Sequence, residues 1–227
     1  MIISPSVISP YKIPTFQSGG GLPPFSFGNA LQFDGTDDNA TSTGKIITGI
    51  YSVHFWIYFN KKTEVVFGSP SSYLLYAQNG VWYWQGFGGS ELFTYTAPLE
   101  TWLAATISRN SSNVCTLYVN GAEIDTCTRS NNFVFNQISN FTSLRFSGIL
   151  DEFYIYDGVE ANLADNQAFW NNGNGIDLRT RAGFETPDRY YSFNEEDGAT
   201  IVTDAGSDGA NLTLNNFSTP PPYFVPH

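Results

Sequence analysis

Three carboxylates stand close together near residue 35, at Asp34, Asp37 and Asp38. Such a group either coordinates a hard cation such as calcium, with help from loop carbonyls, or must remain solvated. Asp151 is a candidate fourth oxygen donor if its strand runs beside this loop, although it could equally accept hydrogen bonds from backbone amides. Calcium binding and solvated turn carboxylates are therefore both open interpretations.

A second group with binding chemistry lies in the segment VWYWQGF, where Trp82 and Trp84 share one face of a predicted strand and Tyr83 points to the other. Flat indoles beside amide groups, here Gln85 and Asn79, are typical of sites that hold sugar rings. An exposed indole is costly unless it meets a partner. The segment predicts a carbohydrate-binding platform, with indoles that fill the core as the alternative.

Residues suited to nucleophilic or metal-dependent catalysis are scarce. The chain has two histidines, His54 and His227, and His227 ends a Pro-rich segment, so a Ser-His-Asp or Cys-His site would depend on His54 alone. The sequence has no Cys/His cluster for zinc and no glycine-rich phosphate loop. His54, Trp56 and Tyr58 share one face of their predicted strand, and form a second candidate binding surface if that face lines a concave sheet.

The composition favours one globular domain that does not bind nucleic acid. Of 227 residues, 41% are hydrophobic, 16% aromatic and 14% charged, which supplies ample apolar surface for a packed core. The net charge of −11 repels a phosphate backbone. No run approaches the roughly 18 apolar residues that span a bilayer. Because Pro5, Pro10 and Pro14 interrupt the first apolar stretch, we expect neither a secretory signal nor membrane association.

Alternating side chains predict an all-β fold. The stretch from Tyr51 to Phe59 has period 2 and gives the clearest strand signal in the chain. Further strands are predicted, between clusters of Gly, Pro, Asn and Ser, near residues 64–68, 73–78, 81–87, 91–95, 102–109, 114–119, 122–127, 150–157, 189–194 and 200–204. One short helix is predicted between Asn162 and Asn172, with Gly173 as its stop. This spacing is typical of a two-sheet antiparallel β-sandwich, or jelly roll.

The chain divides into three parts. Residues 1–28 contain five prolines and a run of three glycines, so they are expected to form an extended arm and linker. Residues 29–217 hold the sandwich. Residues 218–227 contain four prolines and are expected to form an extended tail.

Two cysteines, Cys115 and Cys127, flank Asn120 and Gly121, which accept the positive φ angles of a tight hairpin. A two-residue turn there pairs Cys115 with Thr126 and directs Cys127 to the other face. A bulge would be needed to bring the two sulfurs together. We expect free thiols, because synthesis in a reducing compartment disfavours a disulfide.

Several motifs occur in a characteristic order. From Ala30 the chain reads ALQFDGTDDNATS, then YSVHFWIYF, TWLAATIS, CTLYVNGAEI and FSGILDEFYIYDGVEANLADNQAFWNNG. This order resembles the laminin-G-like (concanavalin A-like) jelly rolls, which open with a Phe-Asp-Gly loop and close with a Gly-x-(Ile/Leu)-Asp-Glu strand and a short helix. The resemblance covers about residues 30–175. It implies a β-sandwich, and members of the family often bind calcium at loops of the Asp34 kind.

The same fold carries glycoside hydrolases, whose signature is a strand of alternating carboxylates, Glu-x-Asp-x-(x)-Glu. Glu123 and Asp125 match its first part. The retaining mechanism needs two carboxyl groups about 5–5.5 Å apart, and here Cys127 and Thr128 stand where the second Glu should be. We interpret the match as chance and expect no enzymatic activity.

The resemblance extends to jelly rolls of bacteriophage structural proteins. It implies a non-enzymatic virion structural or decoration protein, of the head or tail, with a lectin-like domain and glycans as candidate ligands. The N-terminal arm is expected to contact other virion proteins, and assembly around a symmetry axis, for example as a trimer, would bury it. The expected location is the virion, after synthesis in the host cytoplasm. A free-standing calcium-dependent carbohydrate-binding lectin is the alternative.

Overall fold

The structure, a computed structural model, describes residues 27–70, 72–84, 92–139, 141, 144–196, 198–217 and 224–226. Within these residues the chain forms strands and one α-helix, α1 (Leu163–Trp170), followed by short 3-10 turns at Asn171–Gly173 and Leu178–Thr180. The strands are β1 (Asn29–Asp34), β2 (Asn39–Ile47), β3 (Tyr51–Phe59), β4 (Glu64–Ser69), β5 (Ser72–Gln78), β6 (Val81–Trp84), β7 (Leu92–Thr96), β8 (Trp102–Arg109), β9 (Val114–Val119), β10 (Ala122–Thr128), β11 (Phe133–Ile138), β12 (Ser147–Asp157), β13 (Arg189–Tyr191), β14 (Ile201–Val202), β15 (Leu212–Asn215) and β16 (Phe224–Pro226).

The strands form two antiparallel sheets, so the predicted β-sandwich is confirmed. Sheet A has the order β10-β9-β8-β3-β12-β1-β16, and β13 pairs with the later part of β12. Sheet B has the order β14-β15-β2-β11-β4-β5-β6-β7. The chain crosses from sheet A to sheet B between β1 and β2, and again between β3 and β4. These crossings place the β1–β2 and β3–β4 loops at the rim of the sandwich.

The main core lies between the sheets and is built on one face of β3. That face buries every side chain of the odd-numbered set: Tyr51, Val53, Phe55, Ile57 and Phe59. The ring of Phe55 lies 5.3 Å from Phe67 of β4 and 6.1 Å from Phe153 of β12, measured between centroids. Period-2 alternation therefore directs large aromatic rings from both sheets into one apolar layer.

The opposite face of β3 is also buried, because α1 and the residues after it cover the outer side of sheet A. His54 and Trp56 are at most 1% exposed and contact Phe169 of α1, with ring centroids 5.5 and 6.0 Å apart. Tyr58 is half-buried and packs against Trp102. The second candidate binding surface, built on the even-numbered face of β3, is therefore wrong. A short helix shields this face from solvent.

The predicted helix is present and has a defined start. Asn162 caps it by accepting hydrogen bonds from the backbone N–H groups of Ala164 and Asp165, and the Asp165 carboxylate accepts one from the Asn162 N–H. This reciprocal pair satisfies N–H groups that the helix leaves free. The helix ends at Asn171, which has a left-handed φ of 45°, rather than at the predicted Gly173.

Two tight positions depend on glycine. In the β9–β10 turn, Asn120 and Gly121 have φ values of 50° and 77°, as the predicted hairpin requires. A Cβ atom on Gly148 would lie 2.1 Å from the backbone oxygen of Tyr58. Strand β12 can therefore lie against β3 there only without a side chain.

The ends of the chain differ in how far they are described. Residues 1–26 of the predicted arm lie outside the described residues, whereas the ring of Phe27 contacts Trp56 at 4.9 Å. Within the predicted tail, β16 pairs with β1 and so belongs to sheet A. Among the described residues, no helix has the length and apolar character to cross a membrane.

Candidate functional site

The β1–β2 loop brings three of the predicted metal ligands together at the rim of the sandwich. Carboxylate oxygens of Asp34, Asp37 and Asp38 all lie within 4.8 Å of one another. Backbone hydrogen bonds hold two of them in place, from the Asp34 N–H to Asp38 (2.8 Å) and from the Thr36 N–H to Asp34 (2.6 Å). Oxygens that share one calcium ion at 2.3–2.6 Å lie at most about 5 Å apart. The spacing therefore suits a bridging cation.

The Asp38 carboxylate has the most unusual environment in this loop. It is 5% exposed, and its Oδ1 atom has no hydrogen-bond partner within the described part of the chain. Burial raises the pKa of Asp38 to about 6; the charges of Asp34 and Asp37 act in the same direction, while the hydrogen bond from Asp34 opposes it. A buried carboxylate oxygen without a donor is stabilised by a proton or a cation. The donor set therefore fits calcium.

A lysine also approaches the loop. A Cβ atom on Gly35 would lie 2.7 Å from the Lys61 ammonium nitrogen, so this amine already sits over the loop backbone. Gly35 itself has a φ of 75°, which a side chain would disfavour. The Lys61 ammonium group therefore lies close to the loop backbone, and its charge lowers the pKa of the neighbouring Glu64 against the effect of burial.

Asp151 lies elsewhere, and its prediction as a fourth metal ligand is wrong. Asp34 pairs with Ser147, so Asp151 is four residues further along β12, about 13 Å away at 3.3 Å per residue. Its side chain is fully buried and accepts a hydrogen bond from the Glu152 backbone N–H at 2.9 Å. The alternative interpretation, a carboxylate that accepts from a backbone amide, is the one the structure has.

The neighbouring Glu152 is likewise part of the scaffold. It occupies a bulge in β12 with a φ of 50°. The hydroxyls of Tyr154 and Tyr190 donate to its carboxylate at 2.5 and 2.9 Å. Burial raises the pKa of Glu152 to about 7, and these two hydrogen bonds partly oppose that shift. The Glu152 carboxylate therefore ties β12 to the neighbouring strand β13.

The predicted tryptophan platform is wrong, because both indoles fill the core. Trp82 and Trp84 have no exposed surface. The ring of Trp82 lies 5.7 Å from Phe59, and the Trp84 indole N–H donates to the Tyr51 hydroxyl at 2.8 Å. Alternation places the two indoles on one face but does not say which face that is. The two indoles point inward because their face of β6 packs against sheet A. Gln85, the predicted amide partner, lies outside the described residues.

The side chain that points outward from β6 is Tyr83. It stands directly opposite Tyr76 of β5, with ring centroids 5.5 Å apart and an angle of 38° between the planes. Tyr76 is 7% exposed and packs with Val65 and Phe141, whereas Tyr83 is half-buried. The sequence alone did not single out this pair, although its period-2 pattern places Tyr83 on the outer face once the indoles are assigned to the core.

Polar side chains flank this tyrosine pair on the outer side of sheet B. Gln78 pairs with Val81, which pairs with Thr96, and both Gln78 and Thr96 are exposed. Asn79 is exposed at the β5–β6 turn, where its backbone N–H donates to Thr63 at 3.0 Å. The predicted amide of Asn79 therefore lies at the turn that joins the strands of this tyrosine pair. We call this surface the tyrosine face: Tyr76, Gln78, Val81, Tyr83 and Thr96.

The acidic loop and the tyrosine face are linked through Arg145, which lies just before β12 in the chain. The Arg145 guanidinium donates to the backbone oxygens of Asp37 (3.1 Å) and Ser139 (3.2 Å). Arg145 also forms a β-bridge with Val65, and Val65 pairs with Tyr76. The two features thus share one end of sheet B.

The carboxylates that partly match the glycosidase signature do not form a reactive pair. A bulge in β10 pairs Glu123 with Tyr118 but Asp125 with the adjacent Leu117, which turns the two carboxylates to opposite faces. The Asp125 carboxylate accepts a hydrogen bond from the Thr94 backbone N–H at 2.6 Å, and this bond lowers its pKa. A carboxylate held ionised in this way is unsuited to act as a general acid.

Two antiparallel sheets with an acidic rim loop define a lectin-type sandwich. The chain belongs to the concanavalin A-like lectin/glucanases superfamily, whose sequence profile matches residues 34–161. That superfamily contains both lectins and glucanases, so membership identifies the fold and not one activity.

Solved structures show the same fold. A candidate carbohydrate-binding protein from Bacteroides ovatus ATCC 8483 has a TM-score of 0.65 at 13% identity; the match covers 89% of this chain and 61% of that one. The native heptameric SAP-like pentraxin of Limulus polyphemus has a TM-score of 0.53 at 13% identity, over 85% of this chain and 98% of the pentraxin. This chain thus spans less than two thirds of the Bacteroides protein. A search of curated proteins finds no sequence match.

Proposed function

We propose that this chain is a non-catalytic carbohydrate-binding domain whose sugar site is the tyrosine face. The observation that carries the proposal is the pair of Tyr76 and Tyr83 on the outer side of sheet B, with one ring half-exposed. Sugar rings bury their C–H faces against aromatic rings while their hydroxyls exchange hydrogen bonds with amides and hydroxyls. Gln78 and Thr96 supply such groups beside the tyrosines.

The first experiment is a glycan array with wild-type protein and three variants. Tyr83→Ala removes the stacking ring, so affinity for any glycan bound by the wild type should fall about tenfold or more. Tyr83→Phe keeps the ring and should retain most of the binding. Tyr58→Ala is the matched control, since it removes a half-buried tyrosine from the opposite sheet. Equal losses in Tyr58→Ala and Tyr83→Ala, or glycan binding that survives Tyr83→Ala, would exclude the tyrosine face.

Calcium is proposed as a second component, held by Asp34, Asp37 and Asp38. Bound calcium would neutralise the three carboxylates and supply the partner that Asp38 Oδ1 otherwise lacks. Terbium luminescence and a calcium-dependent rise in melting temperature should be present in the wild type and absent in Asp38→Asn. Repeating the glycan array with a chelator then distinguishes a calcium-dependent lectin from a domain whose binding depends on the tyrosine face alone.

We also propose that the domain has no catalytic activity. The residues that partly match the glycosidase signature, Glu123 and Asp125, allow this to be tested. The bulge at residue 124 separates Glu123 from Asp125, so Glu123→Gln should leave any activity of the preparation on polysaccharides unchanged. Loss of hydrolysis in that variant would identify a glycosidase instead.

The virion role is proposed from the sequence, as a head or tail decoration protein that presents this lectin-type domain. The Pro/Gly-rich segment 1–28 supports it, because such a segment suits an arm that lies along a neighbouring subunit. Deletion of residues 1–26 should leave the circular dichroism of the domain unchanged and reduce its co-sedimentation with phage particles. Full-length protein that stays in the free pool in infected cells would argue for the free-standing lectin.

A further inference from the structure

The β9–β10 hairpin brings the two cysteines of the chain face to face. The pairing starts as the turn dictates, with Ala122 opposite Val119, but shifts by one residue at the bulge before Asp125. Cys127 therefore lies directly opposite Cys115, and not beyond it on the other face as the uninterrupted register predicts. Directly opposed residues of an antiparallel pair have Cα atoms about 4.5–5.5 Å apart. This spacing falls within the range that a disulfide bond spans.

The two thiols differ in access to solvent. Cys115 is completely buried between the sheets, whereas Cys127 is half-buried on β10, the edge strand of sheet A. A reagent in solution can therefore reach Cys127 but not Cys115. Both are free thiols in the structure.

The surroundings of Cys115 favour its thiolate. The hydrogen bond with Cys127 lowers the pKa of the Cys115 thiol against the effect of burial, and Tyr51 adds to this. The Tyr51 hydroxyl accepts the Trp84 indole N–H at 2.8 Å, which leaves its own proton to donate to the Cys115 sulfur at 3.5 Å. The Arg109 guanidinium lies 4.6 Å from the centre of the Tyr51 ring. A thiolate is the species that attacks a disulfide.

We propose that Cys127 and Cys115 form an intramolecular disulfide by exchange with a small disulfide such as oxidised glutathione. The Cys127 thiolate attacks one glutathione sulfur, forms a mixed disulfide and releases one glutathione thiolate. The Cys115 thiolate then attacks the Cys127 sulfur, which closes the protein disulfide and releases the second glutathione thiolate. The two cysteines together lose two protons and two electrons, and oxidised glutathione is reduced to two glutathione molecules.

The proposed bond would fix the edge strand to its neighbour at the open end of the hairpin. It closes the loop from Cys115 to Cys127 and restricts the unfolded chain, which should raise the melting temperature by about 5–10 °C. The bond would also stabilise the bulge next to Asp125. Because the Asp125 carboxylate accepts a hydrogen bond from the Thr94 N–H of β7, strand β10 would stay attached to the edge of sheet B.

The test uses folded wild-type protein, incubated with oxidised glutathione under native conditions. Intact mass spectrometry should show loss of two hydrogen atoms, and peptide mapping should identify the Cys115–Cys127 link. The melting temperature should rise and return to its starting value after reduction. Persistence of both free thiols, a disulfide that forms only in urea, or disulfide-linked dimers as the main product would overturn the proposal.

Single variants separate the roles of the two sulfurs. Cys115→Val keeps the accessible thiol without its partner, so it should stop at a stable glutathione adduct on Cys127. Cys127→Ser keeps only the buried thiol, so it should remain unmodified. Rapid modification of Cys115 in Cys127→Ser would contradict the proposed order of attack. If Cys115→Val fails to fold, peptide mapping of the wild type after a brief exposure still distinguishes the order, because the first adduct must be on Cys127.

Discussion

Lowering the pH should destabilise this domain through His54, a histidine of β3 that the structure buries completely. Burial lowers the pKa of His54 to about 3. The Thr106 hydroxyl and the His54 Nδ1 atom share a hydrogen bond at 2.9 Å, and Thr106 also accepts one from Asn166 at 2.8 Å. Protonation of His54 would place a charge among the rings of Tyr156, Phe169 and Phe184.

The magnitude follows from the difference between the folded and unfolded pKa values. An unfolded chain takes up this proton near pH 6.5, whereas the folded chain resists it until about pH 3. Below pH 6.5 protonation therefore stabilises the unfolded state, and the free energy of unfolding falls by about 1.4 kcal/mol for each pH unit. At pH 4.5 the loss of stability is about 2.7 kcal/mol. Above pH 7 the residue has no effect of this kind.

The assay compares urea unfolding of the wild type and His54→Asn between pH 7 and pH 4.5. Asparagine can keep a hydrogen bond to Thr106 and does not titrate, although the smaller side chain leaves a cavity that lowers stability at pH 7. The free-energy gap between the two proteins should shrink by about 2.7 kcal/mol at pH 4.5. Using the difference removes the contribution of the buried carboxylates, whose raised pKa values act in the opposite direction.

His227→Gln serves as the matched control, because it removes the other histidine of the chain. Its unfolding free energy should follow that of the wild type across the pH range. In this variant the ring signals of His54, observed by NMR, should stay constant down to about pH 4. Either of two results would refute this prediction. One is a difference in unfolding free energy between wild type and His54→Asn that is the same at pH 7 and pH 4.5, and the other is a His54 ring that titrates near pH 6.5.

Three further changes test other parts of the structure. Burial raises the pKa of Glu64 to about 8. The contribution of Glu64 to the free energy of unfolding is therefore fully present below pH 4.5, and it falls by on the order of 4 kcal/mol as the pH rises to 8. In urea unfolding, Glu64→Gln should become more stable relative to wild type between pH 5 and 8, and parallel curves would contradict this. Trp82→Ala should lower the unfolding free energy by about 3–5 kcal/mol, because the indole fills the core; a loss below 1 kcal/mol in the same assay would place it at the surface. Gly148→Ala should cost about 1–3 kcal/mol, since β12 must move away from the Tyr58 oxygen; an unchanged melting temperature would show that the strands are not so close.

Local signals were enough to predict most of the architecture. Strong alternation and flanking turn residues predicted β8 and β9 with the bounds the structure has, and they predicted β3 as the clearest strand. The Asn120-Gly121 hairpin followed from the need for two positive φ angles. By contrast, β2, with the sequence NATSTGKII, was missed because seven of its nine residues are polar or small. Its strand conformation is set by pairing with β11 and β15.

The site was predicted only in part, for a similar reason. Asp34, Asp37 and Asp38 are neighbours in sequence, so one loop was bound to keep them close. The distance of Asp151 from that loop depended on the register between β1 and β12, which no local pattern specifies. Likewise, the wrong residues of β6 were assigned to binding, because alternation separates Trp82 from Tyr83 without saying which of them faces the other sheet.

The sequence by itself determined that this chain forms a β-sandwich, because side chains that alternate in polarity can be buried only by pairing strands into two layers. The tertiary structure alone decided which face of each strand is covered. A helix hides His54 and Trp56, a bulge aligns Cys115 with Cys127, and the packing of sheet B on sheet A leaves Tyr83 as the aromatic residue of β6 that meets solvent. These outcomes depend on contacts between residues far apart in the chain, and a local pattern contains no information about such contacts.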